Sequence, residues 1–296
     1  MAQFINTNIA ALDSQRNLSS SQLALQTSLQ RLSSGLRVNS AKDDAAGLAI
    51  AERMTSQVTG LNMAARNAND AISLSQTAEG ALQAVSTNLQ RMRELAVQAS
   101  NATASTGDQQ NLNNEYQQLS QEINRVLAGT KFNGVQLLNS TATLQFQIGA
   151  DSSTTSATNI INVTLTDLTG AATKMNLVSD VSGTGSAAAD ALYVAAATAT
   201  TNVATSQQAI DDLSLAIDEV TTARATFGAA QNRFTSTIAN LQIASQNQAS
   251  ARSRIMDTDF AQETSALTRA QILQQAGTAM LAQANSSNNG VMALLR

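Results

Sequence analysis

The sequence predicts a mainly α-helical fold, a long antiparallel coiled-coil or helical-bundle rod with a small β-hairpin region in the middle of the chain. Its 296 residues include no proline, the residue that interrupts a helix most strongly, at about 3 kcal/mol. Stretches toward both ends repeat apolar residues in alternating steps of three and four, the spacing of a coiled-coil seam. Between them, two short segments alternate apolar with polar residues, as half-buried strands do.

Three helices are predicted in the first part of the chain. The first covers residues 5–36, and its apolar stripe consists of Ile5, Ile9, Leu12, Leu18, Leu25, Leu29, Leu32 and Leu36. The second runs from Asp44 to Ser100, with one extra three-residue step at Ala78 that predicts local overwinding of the supercoil, after which its seam resumes with Leu82, Val85, Leu89 and Met92. At about 1.5 Å per residue it would rise roughly 80 Å. The third follows the polar turn at residues 101–108 and ends at Gly129, which we expect just past the helix.

The middle of the chain changes its period. Leu144, Phe146 and Ile148 predict one strand, and a second strand is predicted by Ile161, Val163 and Leu165. The polar residues 151–159 form the loop between them, and residues 131–134 (KFNG) form a turn into the region. Residues 177–202 are rich in Ser, Thr, Ala and Gly and predict a small exposed insertion.

Two more helices are predicted in the last part of the chain. The fourth carries the most regular apolar spacing, through Ile210, Leu213, Ile217, Val220, Phe227, Phe234, Ile238 and Leu241. The final helix carries Met256, Phe260, Leu267, Leu273, Met280 and Leu281, with Val291, Leu294 and Leu295 at its tip. Helices therefore flank the β region on both sides, and an antiparallel return would pair seam with seam.

The composition excludes most catalytic and binding classes. Without His or Cys there is no Ser-His-Asp triad, HExxH zinc site, thiolate nucleophile or disulfide. Only carboxylate or lysine chemistry would remain, so we expect no enzyme and no cofactor. A net charge of −4 and a pI near 4.8, with scattered basic residues, argue against nucleic acid as a partner.

A membrane partner is also not expected. No apolar run approaches the roughly 20 residues of a membrane span. The first residues, MAQFIN, lack the basic and apolar regions of a cleaved signal peptide. If the protein is secreted, we expect another export route.

The helical seams are thin. Burial of one Leu or Ile contributes about 1.5–3 kcal/mol, yet many seam positions are Ala, Ser or Gln. Fixing the backbone costs about 1–2 kcal/mol per residue. We therefore hypothesise that both ends of the chain are disordered in the free monomer and fold when neighbouring copies supply more surface.

Long strings at both ends resemble bacterial flagellin. In the first part these are residues 5–12 (INTNIAAL), 31–37 (RLSSGLR) and 39–53 (NSAKDDAAGLAIAER). In the last part they are residues 230–241 (AQNRFTSTIANL), 253–263 (SRIMDTDFAQE) and 267–285 (LTRAQILQQAGTAMLAQAN). They occur in family order over most of the chain, so the resemblance is highly specific.

The resemblance implies the domain plan and the general role. Residues 1–43 and 256–296 correspond to the inner core helical domain, and 44–176 with 203–255 to a second helical domain with β-hairpins. Residues 177–202 are a small variable insertion, and the large outer domains of the family are absent. The implied function is a structural subunit that polymerises head-to-tail into the extracellular flagellar filament used for swimming. The implied partners are further copies, a type III export chaperone, and the cap and junction proteins.

The predicted site residues form three groups. A filament-packing seam comprises Leu25, Leu29, Leu32, Leu36, Ile217, Phe227, Phe234, Ile238, Leu241, Phe260 and Leu267. By the resemblance, an innate-receptor segment comprises Gln90, Arg91 and Leu95 in the string QRMRELAVQ, with Glu115 on the next helix. The resemblance also places Val291, Leu294 and Leu295 in the filament core and in recognition by cytosolic inflammasome receptors. There, residues 286–290 (SSNNG) replace the proline-containing stretch common in the family.

Several alternatives stay open at this point. Lys42-Asp43-Asp44 and Asp257-Thr258-Asp259 are better explained as helix caps than as metal or acid/base sites. A hook–filament junction protein would share the terminal helices and differ in copy number. The middle of the chain, residues 140–200, leaves room for surface adhesion or O-glycosylation.

Overall fold

The computed structural model describes residues 7–101, 103–151, 157–169 and 199–293, and within these ranges it leaves the side chains of 157, 199–205 and 287–293 undescribed. The described residues are mainly α-helical, which confirms the predicted fold class. The five α-helices found in these ranges are α1 (Ile9–Ser34), α2 (Ala45–Ala99), α3 (Thr106–Gly129), α4 (Ala199–Met256) and α5 (Phe260–Ala293).

Local side-chain chemistry sets the ends of the shorter helices. Asn8 caps α1 by accepting from the Ala11 N–H, and Ser105 with Asp108 forms a capping box at the start of α3. At the end of α1, Gly35 takes a φ of 70° and its N–H donates to the Arg31 carbonyl. The predicted position of Gly129 past the third helix is wrong, because Gly129 closes α3 and the Thr130 N–H donates to the Val126 carbonyl.

Two antiparallel hairpins follow α3. Strand β1 (Lys131–Phe132) pairs with β2 (Val135–Gln136) across Asn133-Gly134, whose φ values of 48° and 83° are those of a tight hairpin turn. Strand β3 (Thr143–Gln147) pairs with β4 (Ile160–Thr164), in the register Phe146↔Ile161. Both predicted β segments are confirmed. Of the predicted insertion, residues 177–198 lie outside the described residues, and the backbone of 199–202 opens α4.

The chain folds as two compact units, which we call the terminal unit (Met1–Val58 with Gln246–Arg296) and the central unit (Thr59–Ser245). The predicted domain limits at 43/44 and 255/256 fall inside the terminal unit. They lie at the turn before α2 and at the break between α4 and α5, and the domain assignment itself stays a prediction.

The central unit holds a large apolar core. Leu82, Leu89 and Met92 of α2 and Leu213 and Phe234 of α4 are fully buried, and α3 and the hairpins pack against the same cluster. Alanines at intervening positions, such as Ala71, Ala78 and Ala216, are buried as well. This burial confirms the helical apolar spacing predicted for the second and fourth helices.

The buried apolar cluster of the terminal unit is small by comparison. It consists of Val38, Ala51 and Met256, with Leu36, Leu48 and Ile255 packed against it. Met256 is the last residue of α4 and Phe260 the first of α5, so the predicted single final helix that begins at Met256 is wrong. The chain breaks there because residues 257–259 pair with the segment after α1, where Leu36 bridges Asp257 and the Thr258 N–H donates to the Gly35 carbonyl.

Candidate assembly surface

In the terminal unit, α1 and α5 pack along each other through leucines interspersed with small and polar side chains. Three contacts fix an antiparallel register: the Asn8 amide donates to the Ala284 carbonyl at 2.9 Å, Gly277 lies against Leu18, and Arg31 approaches Glu263 at 3.9 Å. The positions that face inward on α1 repeat at steps of three and four. They are Ala11, Ser14, Leu18, Ser21, Leu25, Ser28 and Leu32, of which Ser28 is buried and the others are half-buried.

The register places large residues opposite small ones. The sum of the two residue numbers is close to 295 at each contact. Leu25 therefore falls opposite Ala270, and Leu267 opposite Ser28. Both partners in each layer are buried or half-buried, so the interface is narrow and contains few large apolar contacts.

Most of the large apolar side chains on α1 and α5 point outward. We call these eight exposed residues the outward apolar face: Ile9, Leu12, Leu23, Leu29, Phe260, Ile272, Leu273 and Met280. Leu29 is 48% exposed and Phe260 57% exposed, so within the chain they do not share the half-buried stripe of Leu25, Leu32 and Leu267, and their place in the filament-packing seam stays a prediction. The same correction applies to Ile9, Leu12, Leu273 and Met280, which were predicted on the apolar stripes of these helices.

The exposure of Leu29 is explained by two serines that occupy inward positions on α1. A stripe that follows Leu18, Leu25 and Leu32 at steps of three and four passes through Ser21 and Ser28, and Leu29 lies one residue to the side. Counting only apolar residues hides these serines, and Gly277 was missed for the same reason. The strict spacing of the three leucines was the signal that could have identified them.

The other predicted seam residues lie where the helical spacing puts them. In α4, Phe227, Phe234 and Leu241 are buried, and Ile217 and Ile238 are half-buried. Phe227 and Phe234 belong to the core of the central unit, and Ile217 and Ile238 pack against it. Leu25, Leu32, Leu36 and Leu267 are half-buried in the terminal unit. Packing between copies, for all of these residues, stays a prediction.

The acidic residues at the helix junctions act as caps. Asp44 accepts from the Gly47 N–H at 2.8 Å, and Asp259 accepts from the Ala261 N–H at 2.9 Å, each at the start of a helix. The Asp43 carboxylate accepts from the Asn39 N–H, the Ser40 hydroxyl and the Ser40 N–H. These bonds, with a contribution from the charge of Arg31, hold the pKa of Asp43 below its ordinary value of 3.8.

The cap interpretation is therefore confirmed for Asp44 and Asp259, whereas Asp43 holds the turn before α2 and Asp257 accepts from the Ser253 hydroxyl at 2.7 Å. Across the described ranges, no group of three potential ligand side chains is arranged to hold a metal ion. None of the described helices is long and apolar enough to cross a membrane.

A second surface lies on α2 and α3 of the central unit. Arg91 donates to Glu115 through Nε at 2.9 Å and NH1 donates to Glu94 at 3.0 Å, and the three charged groups are exposed. These bonds, first that to Glu94 and then that to Glu115, raise the pKa of Arg91. Gln90 is exposed on the same helix, whereas Leu95 is buried in the core. Glu94 was not among the predicted site residues, although it lies one helical turn after Arg91.

Beside this charged group runs a groove of about 700 Å³ between α2 and α4. Its lining includes Gln90, Arg93, Val97 and Ile217. The predicted segment therefore combines an exposed polar face with packing residues beneath it. Of the C-terminal group, Val291 lies in α5 without a described side chain, and Leu294 and Leu295 lie outside the described residues.

Known proteins resemble the chain at both ends and along its length. The model of the bacterial flagellin N-terminal helical region matches residues 5–143, and that of the C-terminal helical region matches residues 207–295. A flagellin of Halalkalibacterium halodurans is 45% identical over 294 residues, covering 99% of each chain. A flagellin of Bacillus subtilis is 41% identical over 315 residues, again covering 99% of each chain.

A solved structure was also found. The crystal structure of Bacillus cereus flagellin has a TM-score of 0.47 and 29% sequence identity, covering 60% of this chain and 88% of that one. The family assignment rests on the sequence matches, since the two family models together span most of the chain. The chain therefore belongs to the bacterial flagellin family, the structural subunits of flagellar filaments.

Proposed function

We propose that this chain polymerises head-to-tail into the extracellular flagellar filament, with the outward apolar face as its main contact between copies. The observation that carries the proposal is the distribution of side chains in the terminal unit, where most large apolar residues of α1 and α5 lie on the exposed surface. The contact between α1 and α5 combines a few leucines with many small and polar residues, while eight large apolar residues of these helices are exposed outside it. So many exposed large apolar side chains on one pair of helices are typical of interaction sites.

The directions in which Leu23 and Ile272 project from the helix pair favour an open polymer. Leu23 lies two residues from both Ser21 and Leu25, and Ile272 lies two residues from both Ala270 and Gln274. At about 100° per residue, each points directly away from the shared helix contact. Leu23 and Ile272 therefore leave the pair on opposite sides. One two-fold neighbour would cover only one of these sides, whereas heterologous contacts that do not close would cover both.

The test compares two isoleucines in matched settings. Ile272 is 59% exposed in the terminal unit, and Ile243 is 58% exposed in the central unit. Ile243 also lies two residues from inward positions, Leu241 and Ser245. We expect Ile272→Asp to prevent elongation from filament seeds, because assembly would bury a charge. We expect Ile243→Asp to elongate like the unaltered chain, and neither to change the circular dichroism of the monomer.

Electron microscopy of the seeded reactions gives the readout. Equal elongation of the two variants would overturn the assignment of the assembly surface. If the unaltered chain forms only short capped stubs at any concentration, the junction-protein alternative is favoured over a filament subunit. Long uniform filaments support the subunit role and, with it, swimming motility.

We extend the proposal to export and partners by family membership. The chain would leave the cell by the flagellar type III route, bound beforehand by an export chaperone at its C-terminal helices, and would meet cap and junction proteins in the filament. Exposed Ile272, Leu273 and Met280 on α5 offer a chaperone an apolar surface. We propose no catalysis and no cofactor, in keeping with a structural family and a chain without His or Cys.

Recognition by host innate receptors is a second proposed role, favoured by the charged group on α2 and α3. Gln90, Arg91 and Glu115 are exposed and available to a partner, and Leu95 would support them from beneath by packing. Val291, Leu294 and Leu295 would serve the inflammasome type of recognition. Receptor binding by Arg91→Ala and Glu115→Ala variants of the monomer tests the first of these, and unchanged binding by both would reject it.

A further inference from the structure

Gly277 lies in the middle of α5, where glycine is a poor choice for a helix. Glycine is the weakest helix former other than proline, and α5 extends from Phe260 to Ala293. The φ of Gly277 is not positive, so the backbone conformation there does not require glycine. Another property of the site must account for it.

That property is the close approach of α1. A Cβ atom added to Gly277 would lie 3.3 Å from Leu18 Cδ1, 3.7 Å from its Cβ and 3.9 Å from its Cα. The 3.3 Å distance is tighter than ordinary van der Waals contact, so the Leu18 side chain would have to shift by a few tenths of an ångström, while the other two distances already correspond to full contact. Two other helical glycines, Gly80 and Gly228, differ, because an added Cβ at either would meet nothing within 4 Å.

A second contact, at the start of α1, shows that the two helices are equally close there. The short Asn8 side chain reaches a backbone carbonyl in the body of α5, that of Ala284, at 2.9 Å. Two helices must run close together for a residue as short as asparagine to bridge them. The approach at Leu18 and Gly277 is therefore part of a continuous narrow contact.

We propose that Gly277 is the positioning residue that sets the spacing and register of α1 and α5, and so determines which apolar side chains are presented to other copies. Leu18 fills the space that the missing side chain leaves. With a larger residue at 277, the helices would separate or slide, and the outward apolar face would lose its arrangement. This inference rests on the proposed polymerisation and adds to it the residue that specifies the geometry of the assembly surface.

The first experiment measures the critical concentration for seeded polymerisation. Gly277→Leu should raise it about fivefold or more, because a large side chain overpacks a contact in which a single Cβ would already touch Leu18. Gly228→Leu is the matched control and should leave it unchanged. Adding Leu18→Ala to Gly277→Leu should restore much of the lost assembly. Unchanged assembly of Gly277→Leu, or no recovery in the double variant, would overturn the proposal.

The second experiment reads the register without polymerisation. Because the chain has no native cysteine, a cysteine pair reports on one contact alone. The double variant Ser21→Cys/Gln274→Cys joins two positions that lie opposite each other and should readily form an intrachain disulfide in the monomer. In the double variant Ser21→Cys/Leu281→Cys the second cysteine lies seven residues out of register, so its disulfide should form less readily. Even a helix pair that forms only part of the time closes in its preferred register.

The two readouts separate the failures. Gly277→Leu should abolish the preference for the 21/274 pair, and Leu18→Ala should restore it. If the disulfides behave in this way but the unaltered chain does not elongate, the proposed function fails and the role of Gly277 stands. If filaments form and the 21/274 preference is insensitive to Gly277→Leu, the role of Gly277 fails and the proposed function stands.

Discussion

The ring of Phe146 on β3 meets the ring of Phe234 on α4 edge to face, with centroids 5.6 Å apart and an interplanar angle of 81°. This arrangement places the positive edge of one ring against the negative face of the other. Phe234 is fully buried in the core that α2, α3 and the hairpins share. The pair therefore links the β3–β4 hairpin to the longest helix of the central unit.

From this contact we expect Phe234→Ala to lower the free energy of unfolding by about 3–5 kcal/mol, through lost burial and a cavity that cannot fully collapse. Urea denaturation followed by circular dichroism measures it. Phe260→Ala serves as the control, since Phe260 is exposed and should change stability little. Equal losses for the two phenylalanines would contradict the placement of Phe234 in the core.

Leu95 and Arg91 lie one helical turn apart on α2, but we expect their replacement by alanine to affect stability very differently. Leu95 is buried against the core, so Leu95→Ala should cost about 2–5 kcal/mol of unfolding free energy. Arg91 is exposed and paired with Glu94 and Glu115, so Arg91→Ala should leave the unfolding midpoint nearly unchanged. Thermal unfolding of both variants checks this. A large loss for Arg91→Ala would mean that the ion pairs contribute to the core of the unit.

How much could be predicted from sequence differs between the two units. In the central unit the inward positions are large and apolar, so the apolar spacing of Leu82, Leu89, Leu213 and Phe234 found the core directly. The alternation at Leu144 to Ile148 found the β3–β4 hairpin for the same reason. Where burial is carried by large side chains, counting apolar residues is sufficient.

In the terminal unit, counting apolar residues placed Leu29 and Phe260 in one stripe with Leu25 and Leu32, although Leu29 and Phe260 are exposed within the chain. There the inward positions are shared among Leu18, Ser21 and Ser28, and the residue opposite Leu18 is Gly277. Small residues bury little area and leave no apolar signal, although they allow the closest helix approach. The break at residues 257–259 was also missed, because it depends on pairing with Gly35 and Leu36, more than 200 residues away in sequence.

The turn before α2 should carry a pH dependence set by Asp43. Its pKa is lowered in the folded state by the Asn39 N–H, the Ser40 hydroxyl and the Ser40 N–H. A lowered folded-state pKa means that the stabilisation is fully present above the ordinary value of 3.8 and is lost as the pH falls through the folded value. We therefore expect Asp43→Asn to be less stable than the unaltered chain at neutral pH.

The difference between the two chains should shrink as the pH falls below about 4. Urea denaturation at a series of pH values measures it. Asp13→Asn, on the surface of α1, is the control, because Asp13 accepts no backbone N–H in the described hydrogen bonds and should show no comparable trend. A stability gap for Asp43→Asn that persisted unchanged into acid would exclude the carboxylate as its source.

The ends of the chain should order on assembly. The contact between α1 and α5 contains serine, alanine and glycine at many layers, whereas eight large apolar residues of these helices are exposed. Fixing the backbone costs about 1–2 kcal/mol per residue, and so narrow a contact offsets little of that cost without neighbours. Amides of α1 and α5 should therefore exchange rapidly in the monomer and become strongly protected in the filament, while those of Leu82 to Met92 in α2 stay protected in both. Hydrogen exchange with mass spectrometry on a verified monomer decides the matter, and slow exchange at both ends before assembly would show that the pair folds without its neighbours.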